Sequence, residues 1–292
     1  MRPIAFVPFL LALAAPSGAA WRQVEQSRPA SADGVVEIEI PSGRVSVVGW
    51  EQNEVRVTGE VDDDAELELD GSGSHVQIEV DSRRGHGQAE ARIEVRVPRG
   101  SRVEIDASPN ASVEVQGIDG RIRAEAVNGG ITVKGGSSEI EVETVNGGVE
   151  IEAPATRVRA ESVNGRVVIR GASGDIEAST VNGRLEVAGG RFERARLEIV
   201  NGRVVFAGDL SRTALLEVES VSGDVELTLA GDVAADFQVS SFSGDIDNDF
   251  GARAERTSRW TTEKELRFSN GGGGASVEIH TLSGDVQLRK RQ

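Results

Sequence analysis

The sequence predicts an all-β protein: a parallel β-solenoid, similar to a β-helix, with coils of about 18 to 21 residues and an irregular β region at its N-terminal end. Three observations lead to this fold class. The tripeptide Val-Asn-Gly recurs about every eighteen residues through the middle of the chain. Apolar and polar residues alternate on both sides of each tripeptide, and most of the apolar ones are β-branched, as in strands with one buried face. No segment has a helical period of useful length.

Each repeat unit, here called a rung, consists of two short predicted strands joined at Asn-Gly and followed by a corner of small residues. Positions are numbered as places from the first residue of the rung. Five regular rungs are followed by three looser copies in which Ser-Gly-Asp replaces Asn-Gly. The regular rungs start at Arg121, Glu139, Arg157, Asp175 and Arg194, and the looser copies start at Leu215, Asp236 and Ser276.

The apolar residues of a rung fall at places two, four, seven, eleven and thirteen. We expect these side chains to stack from rung to rung as a continuous aliphatic core. In the third rung they are Val158, Ala160, Val163, Val167 and Ile169.

Two architectures fit this pattern. Asn-Gly between alternating strands is also the strongest short hairpin signal, so an antiparallel meander is the alternative to the solenoid. The charges at places one and three favour the solenoid, because their sign reverses at every regular rung and a parallel stack would set each Arg pair against an acidic pair. Contacts between Val127, Val145 and Val163 would distinguish the two. The charged pairs are Arg121 with Arg123, Glu139 with Glu141, Arg157 with Arg159, Asp175 with Glu177, and Arg194 with Arg196.

The chain divides into three predicted parts. Residues 1–20 have a short positive start, an apolar run and small residues before Trp21, which is typical of a signal peptide. Residues 21–100 are expected to form an irregular β region that caps the first coil. Residues 101–292 carry the repeats, with an insertion at 251–274 expected to cover the other end.

Two segments extend the repeat pattern towards the N-terminus. The run from Val36 fits the rung template with Pro-Ser-Gly at the turn, and the run from Arg102 fits it with one extra residue. Coil-like strands are therefore expected before the first regular rung.

Composition narrows the function. Cysteine is absent, so neither disulfides nor thiol chemistry is available. The formal net charge of −16 argues against a nucleic acid or an anionic membrane as partner. After the signal peptide no stretch is apolar enough to predict an integral membrane span. We expect an exported protein of the periplasm or cell surface, with an unidentified envelope protein, surface protein or polysaccharide as partner.

The sequence offers little for catalysis. The three histidines, His75, His86 and His280, are scattered, and the nucleophile motif Gly-x-Ser-x-Gly is absent. Paired carboxylates are plentiful, but nothing distinguishes one pair. We therefore expect no enzymatic activity and no cofactor, with a carbohydrate-active β-helix as the less favoured alternative.

Two acidic groups are candidate calcium ligands. Asp245, Asp247 and Asp249 alternate like the start of a calcium loop, but Arg256 occupies the twelfth place of that loop. A charged, solvated strand is the favoured interpretation of these three residues. The second group is the stack of glutamates at place five, for which Arg166 and Arg184 are predicted partners. Those glutamates are Glu125, Glu143 and Glu161.

The repeated asparagines are predicted to be structural. Asn and Gly both tolerate positive φ, and stacked Asn amides can hydrogen-bond from rung to rung. In three rungs Asn-Gly is followed by Arg, a tripeptide that resembles a short cell-binding motif, although the arginine is equally well explained as an ion-pair partner. The turn asparagines are Asn128, Asn146, Asn164, Asn182 and Asn201.

Taken together, several runs resemble a known family. These are VEIEIPSGRVSV, IEVRVPRGSRVEID, the tandem VNG and SGD turns, and GGGGASVEIHTLSGDVQL. They resemble the bacterial putative-adhesin family of β-strand repeats, a domain of unknown function. The resemblance implies an exported or envelope-associated β-solenoid and supplies no catalytic residues. The expected function is a non-enzymatic adhesin or protein-interaction scaffold, with a scaffold that polymerises through the solenoid ends as the alternative.

Overall fold

The computed structural model describes residues 21–83, 89–258, 260 and 262–291. The predicted signal peptide, residues 1–20, and His86 lie outside the described residues. Every regular element that is described is a β-strand. The strands are β1 (Trp21–Glu39), β2 (Ser42–Trp50), β3 (Glu54–Asp62), β4 (Ala65–Ser82), β5 (Glu90–Pro98), β6 (Arg102–Ala107), β7 (Asn110–Gln116), β8 (Ile122–Ala126), β9 (Ile131–Lys134), β10 (Glu139–Thr144), β11 (Val149–Glu152), β12 (Arg157–Arg170), β13 (Gly174–Ala230), β14 (Ala235–Ser243), β15 (Ile246–Asn248), β16 (Glu255–Arg256), β17 (Lys264–Asn270), β18 (Ala275–Ser283) and β19 (Val286–Arg291).

The first four regular rungs pair in parallel with a shift of eighteen residues. Ile140 faces Ile122 on one side and Val158 on the other, and Val158 faces Ile176 in turn. The second strands of the rungs follow the same register in β9, β11, β12 and β13. The all-β class and the parallel pairing are as predicted, and the regular rungs do not form a meander.

The backbone contacts that distinguish the two architectures are present at the turns. The Asn146 N–H donates to the carbonyl oxygen of Val127 at 2.7 Å, and the Asn164 N–H donates to that of Val145 at 2.8 Å. Equivalent turns of successive rungs therefore lie directly above one another.

At the N-terminal end the rungs are not stacked in chain order. Val36 of β1 pairs in parallel with Val103 of β6 on one side and with Val76 of β4 on the other. The first half of β1 pairs antiparallel with β3, which also pairs antiparallel with β5. The rung that starts at Val36 therefore lies inside the stack, between neighbours that follow it in the chain.

The C-terminal end has the same kind of interleaving. Val277 of β18 pairs with Leu216 of β13 and with Phe237 of β14, so the last rung in the sequence lies between the two that precede it. The outer edge of β14 is covered by β17, which pairs with it antiparallel and sets Phe268 opposite Phe237. The stacking order therefore differs from the chain order assumed in the sequence analysis.

The core agrees with the predicted places except for one. Places two, four, eleven and thirteen are buried in the regular rungs, but place seven is not: Val163 is 39% exposed. Place six is buried instead, as at Thr144 and Ser162. The reason is that the strand alternation continues through places two, four and six, so the turn begins one residue later than the apolar pattern suggested.

Candidate functional site

The glycine at place nine lets the turns of neighbouring rungs approach each other closely. A Cβ on Gly165 would lie 1.9 Å from the carbonyl oxygen of Gly147, and a Cβ on Gly147 would lie 2.0 Å from that of Gly129. No non-glycine residue in the described parts of the chain has positive φ, and these three glycines lie outside the positive-φ set as well. The predicted reason for Asn-Gly, positive φ, is therefore wrong for the first four regular rungs, where close backbone approach replaces it. Gly202 of the fifth rung has both a φ of 133° and a close carbonyl oxygen, that of Gly183.

The asparagines at place eight form a continuous amide ladder. Each side-chain Nδ2 donates to the Oδ1 of the asparagine one rung before it, at 2.9 to 3.1 Å from Asn146 through Asn201. Asn128 begins the regular series by donating to Asn110 Oδ1 at 3.0 Å. Each interior amide uses one donor and one acceptor on its neighbours, so these side chains stabilise the stack as predicted.

A row of buried hydroxyls lies beneath the ladder at place six. Thr144, Ser162 and Thr180 each donate to the glycine carbonyl at place nine of the preceding rung, at 2.9 to 3.2 Å. Thr281 occupies the same place near the C-terminal end, and its buried Oγ1 has no hydrogen-bond partner. These hydroxyls are the functional groups that the sequence analysis missed, because it assigned place six to the outside.

The exposed side chains at place seven form a band along the stack, here called the aliphatic row. Their exposed fractions lie between 37% and 55%, and the side chain is larger than valine at two of the three Ser-Gly-Asp turns, as Leu282 and Phe242. From Val181 to Leu282, the row and the neighbouring residues at places five and six line a shallow groove of about 500 Å³. A contiguous band of exposed apolar side chains is a candidate contact surface. In stacking order the row contains Val145, Val163, Val181, Val200, Val221, Leu282 and Phe242.

An acidic row flanks the aliphatic row at place five. Glu125, Glu143 and Glu161 face one another in register, as predicted. Glu125 and Glu161 are paired with Arg123 and Arg159 of their own rungs at 2.8 and 2.5 Å. Among the described residues Glu143 has no ion-pair partner, because place three of its rung is also acidic.

Arginines occupy place ten in three of the regular rungs, after the turn that carries the asparagine ladder. Arg166 and Arg184 lie 3.6 and 3.4 Å from Glu186, so they do not neutralise the glutamate stack as expected. The third arginine, Arg203, pairs with Asp224 at 3.2 Å. Place ten is arginine in the third to fifth regular rungs, whereas place five is glutamate in the third and fifth and Ser179 in the fourth.

The predicted charge alternation at places one and three is present. Arg121 lies 2.9 Å from Glu141. Arg159 lies 2.8 Å from Glu177, and Arg194 lies 3.8 Å from Asp175. These exposed pairs contribute roughly 0.2–1 kcal/mol each and chiefly favour the in-register stack.

The three predicted calcium ligands do not converge. Asp247 and Asp249 flank Arg289, at 2.9 and 3.3 Å. Asp245 is paired with Lys264, and this hydrogen bond and charge hold the pKa of Asp245 below its usual value. Within the described ranges no group of three or more His, Asp or Glu side chains is arranged to hold a metal.

The Ser-Gly-Asp turns have serine at place eight and form a different series of hydrogen bonds, through the aspartates at place ten. The Asp285 N–H donates to Asp224 Oδ1 at 3.2 Å, and the Asp245 N–H donates to Asp285 Oδ1 at 2.8 Å. Arg203 and Lys264 neutralise the two ends of this series. The Ser-Gly-Asp turns thus use their carboxylates to bond neighbouring rungs.

The two histidines within the described residues lie at opposite ends of the stack. His75 Nε2 is 3.5 Å from Glu37, and His280 Nδ1 is 2.8 Å from Ser240 Oγ. Glu219 is the in-register neighbour of His280 on its other side. Acid, imidazole and hydroxyl therefore follow one another in the place-five row, although the distant sequence positions gave no sign of it.

The C-terminal end carries the largest exposed apolar groups. Trp260 is 93% exposed, and Thr262, two residues later, donates its hydroxyl to the Phe242 carbonyl oxygen at 2.8 Å. Phe242 and Leu282 are both about half exposed. These three apolar residues, Trp260, Phe242 and Leu282, are here called the terminal patch.

In the part of the chain that the structure describes, no helix is sufficiently long and apolar to cross a membrane. No curated protein matches the chain.

Two solved structures are similar to the chain at 10% identity. One is a putative cell adhesion protein from Clostridium sporogenes ATCC 15579, which matches 92% of this chain and 100% of its own with a TM-score of 0.24. The other is a putative adhesin from Parabacteroides merdae ATCC 43184, which matches 92% of this chain and 97% of its own with a TM-score of 0.30. The family model named Toastrack DUF4097 matches residues 35–289. This match includes most of the stacked rungs, and the chain belongs to the Toastrack DUF4097 family.

Proposed function

We propose that the protein is an exported, non-enzymatic scaffold of the bacterial cell envelope, whose rungs wind as one β-solenoid and present an adhesin-type contact surface. The terminal patch carries this proposal. Trp260 is almost fully exposed, and Phe242 and Leu282 are about half exposed. The segment that carries Trp260 is joined to Phe242 by the Thr262 hydroxyl. Exposed aromatic side chains of this kind are the residues that most often anchor a protein partner.

The distribution of polar groups supports a binding role. The asparagine amides bond to one another, most place-six hydroxyls bond to backbone, and the predicted calcium ligands are paired with cations. Charged groups thus serve mainly to hold the rungs together. The apolar side chains of the terminal patch have no such internal role.

Binding of residues 21–292 to isolated envelopes and to whole cells tests the proposal. Trp260→Ala should weaken binding by about 2 kcal/mol or more if Trp260 is an anchor, which is roughly a thirtyfold loss of affinity. Leu215→Ser is the matched control, because Leu215 is also exposed but lies at place one of its rung. Equal binding by the wild type and Trp260→Ala would contradict the terminal patch as the contact surface.

End-to-end polymerisation is less favoured. The outer edge of β14 is covered by β17, and at the other end β3 runs antiparallel to β1 and β5. Open strand edges are what an end-to-end polymer needs, and covered edges oppose it.

A hydrolytic role has one observation in its favour, the 2.8 Å contact between Ser240 and His280 with Glu219 alongside. Both His280 and Glu219 are exposed to water. A catalytic triad instead holds these groups in a preorganised site from which water is largely excluded. Turnover of p-nitrophenyl acetate that is lost in Ser240→Ala would favour a hydrolase, and turnover in a polysaccharide screen would favour a carbohydrate-active β-helix.

A further inference from the structure

We infer that Asn201 is a modification site, at which the side-chain amide is lost spontaneously as ammonia while the other turn asparagines are protected. This goes beyond the proposed function, because it concerns the covalent chemistry of one turn and not a binding partner. The other turn asparagines also precede glycine, but their turns pack differently from that of Asn201. They are Asn128, Asn146, Asn164 and Asn182.

The reaction uses only the chain and water. The backbone nitrogen of Gly202 loses its proton and attacks the side-chain carbonyl carbon of Asn201, and the amide nitrogen leaves with a proton as ammonia. The product is a cyclic succinimide, which water opens at either of its carbonyls to give aspartate or the β-linked isoaspartate. Glycine favours the attack, because it has no side chain to hinder the approach of its nitrogen.

The amide ladder holds Asn201 by one bond fewer than its interior members. For the attack, the side chain must turn out of the ladder so that its carbonyl carbon meets the next backbone nitrogen. Asn164 has to break two bonds, its own to Asn146 Oδ1 and the one that it accepts from Asn182. Asn201 has to break only its 3.1 Å bond to Asn182 Oδ1, because the next rung carries Ser222 at place eight and no described residue donates to Asn201 Oδ1. One bond fewer favours the reactive conformation by roughly fivefold.

The turn that follows Asn201 in the stack also packs less closely. A Cβ on Gly183 would lie 1.9 Å from the Gly165 carbonyl oxygen, but a Cβ on Gly223 would lie 2.9 Å from that of Gly202. Gly202 is exposed, whereas the place-nine glycines of the first four regular rungs are half-buried. Among these five glycines only Gly202 has positive φ. The nitrogen that must lose its proton is therefore the most accessible one at Gly202.

Loss of the amide changes the surface beside the aliphatic row. A carboxylate at position 201 cannot donate to Asn182 Oδ1, so the last bond of the ladder is lost and two acceptor oxygens face each other. An isoaspartate also lengthens the backbone between Val200 and Gly202 by one carbon. Since Val200 lines the groove beside the aliphatic row, the modified chain presents a different groove.

Peptide mapping by mass spectrometry tests the site on residues 21–292 aged at mildly alkaline pH. Asn164 and Asn182 are internal controls, because both share the sequence Val-Asn-Gly-Arg with Asn201. In the folded chain we expect Asn201 to lose its amide about fivefold faster than either control, and in guanidinium we expect similar rates at all three. Equal rates in the folded chain, or an unreactive Asn201 in a folded chain whose unfolded form reacts, would overturn the inference.

Extending the ladder by one residue gives a second test. Ser222→Asn places an amide donor opposite Asn201 Oδ1 and creates a new terminal Asn-Gly. The substitution should slow the reaction at Asn201 by about fivefold and make position 222 the most reactive site. If Asn201 reacted at its original rate while circular dichroism showed an unchanged fold, the ladder would not be the source of protection.

Shortening the ladder should have the opposite effect. Asn182→Ala removes the acceptor of the remaining Asn201 bond and should accelerate the reaction at Asn201 by about fivefold. Asn146 is the control, because its bonds to Asn128 and Asn164 are unchanged. Equal acceleration at Asn146 would indicate a general loosening of the stack and would contradict protection by individual bonds. All of these measurements use the purified chain alone, so their failure is distinct from a failure of envelope binding.

Discussion

Replacing Gly147 by alanine should destabilise the protein far more than the same change at its neighbour Gly148. A Cβ on Gly147 would lie 2.0 Å from the Gly129 carbonyl oxygen and 2.9 Å from Thr144 Oγ1. The two rungs would have to separate by about 1.4 Å at the turn to reach an ordinary contact of 3.4 Å.

The cost follows from the bonds at that turn. Separation weakens the Asn146 N–H to Val127 bond of 2.7 Å and the Thr144 Oγ1 to Gly129 bond of 3.0 Å. Each bond contributes about 1 kcal/mol, and a buried hydroxyl left without a partner costs about 1–3 kcal/mol more. The free energy of unfolding should therefore fall by about 3–5 kcal/mol.

Gly148 is the matched control. The nearest atom to a Cβ there is the Arg166 carbonyl oxygen at 3.4 Å, which is an ordinary contact, and Gly148 is outside the positive-φ set. Alanine at this position should be neutral or stabilise by about 0.4–1 kcal/mol through the unfolded state.

Guanidinium denaturation of residues 21–292, followed by circular dichroism, measures both effects. Midpoints are compared at an unchanged denaturant slope. If Gly147→Ala costs less than about 1 kcal/mol, or if both variants lose the same stability, close backbone approach is not what selects glycine at place nine.

Three other substitutions test the ladders and the acidic row. Asn164→Ala removes two exposed amide bonds and should lower the free energy of unfolding by about 1 kcal/mol in the same denaturation assay; no change would show that the ladder is dispensable. Thr281→Val should be neutral or stabilising, because the Thr281 hydroxyl has no hydrogen-bond partner, whereas Thr144→Val should lower the free energy of unfolding by about 1 kcal/mol. Thermal melts that ranked the two variants in the opposite order would refute these hydrogen-bond assignments. The charge and hydrogen bond of Asp81 raise the pKa of Glu79 above its usual 4.5, so the folded protein loses stability as the pH rises through that raised pKa. Glu79→Gln should therefore stabilise the protein at neutral pH, and thermal melts at decreasing pH should show this gain in stability disappear below pH 4.5. A gain in stability that does not depend on pH would show that the charge of Glu79 is not its cause.

The parallel register was predictable because it depends on charges that the sequence displays directly. Arg159 can meet Glu141 and Glu177 only if equivalent places lie above one another, and a sign that reverses every eighteen residues has no other simple explanation. The alternation of apolar and polar residues likewise predicted that places two and four are buried. Local patterns were sufficient wherever each rung contacts only its like neighbours.

The point where the strand bends was not predictable in the same way. Val163 is apolar, and apolar residues in a repeat are assigned to the core by default, whereas Ser162 is polar and is assigned outside. The assignment reverses because Ser162 Oγ reaches the Gly147 carbonyl oxygen at 2.9 Å, a partner that comes from another rung. A bond between rungs cannot be read from the sequence of one rung.

The order in which the terminal rungs stack could not be predicted from the pattern within single rungs either. The rungs that start at Leu215, Asp236 and Ser276 all fit the same pattern, and nothing within the pattern states which is adjacent to which. The order is set by β17, which pairs antiparallel with β14 and leaves the other edge of β14 for β18. The contact between His280 and Ser240 follows from this order, which is why the sequence gave no sign of it.

Function should lie where the repetition changes, because interior rungs differ little from one another. Three changes coincide near the C-terminal end. The amide ladder stops at Asn201, and backbone N–H groups that donate to the carboxylates of Asp224 and Asp285 replace it. The exposed side chain at place seven grows from valine to leucine and then phenylalanine. Either ladder could hold the rungs together, so stability alone does not require larger apolar side chains on the outside. Exposing them lowers solubility, and a contact that uses them is the physical reason to keep them there.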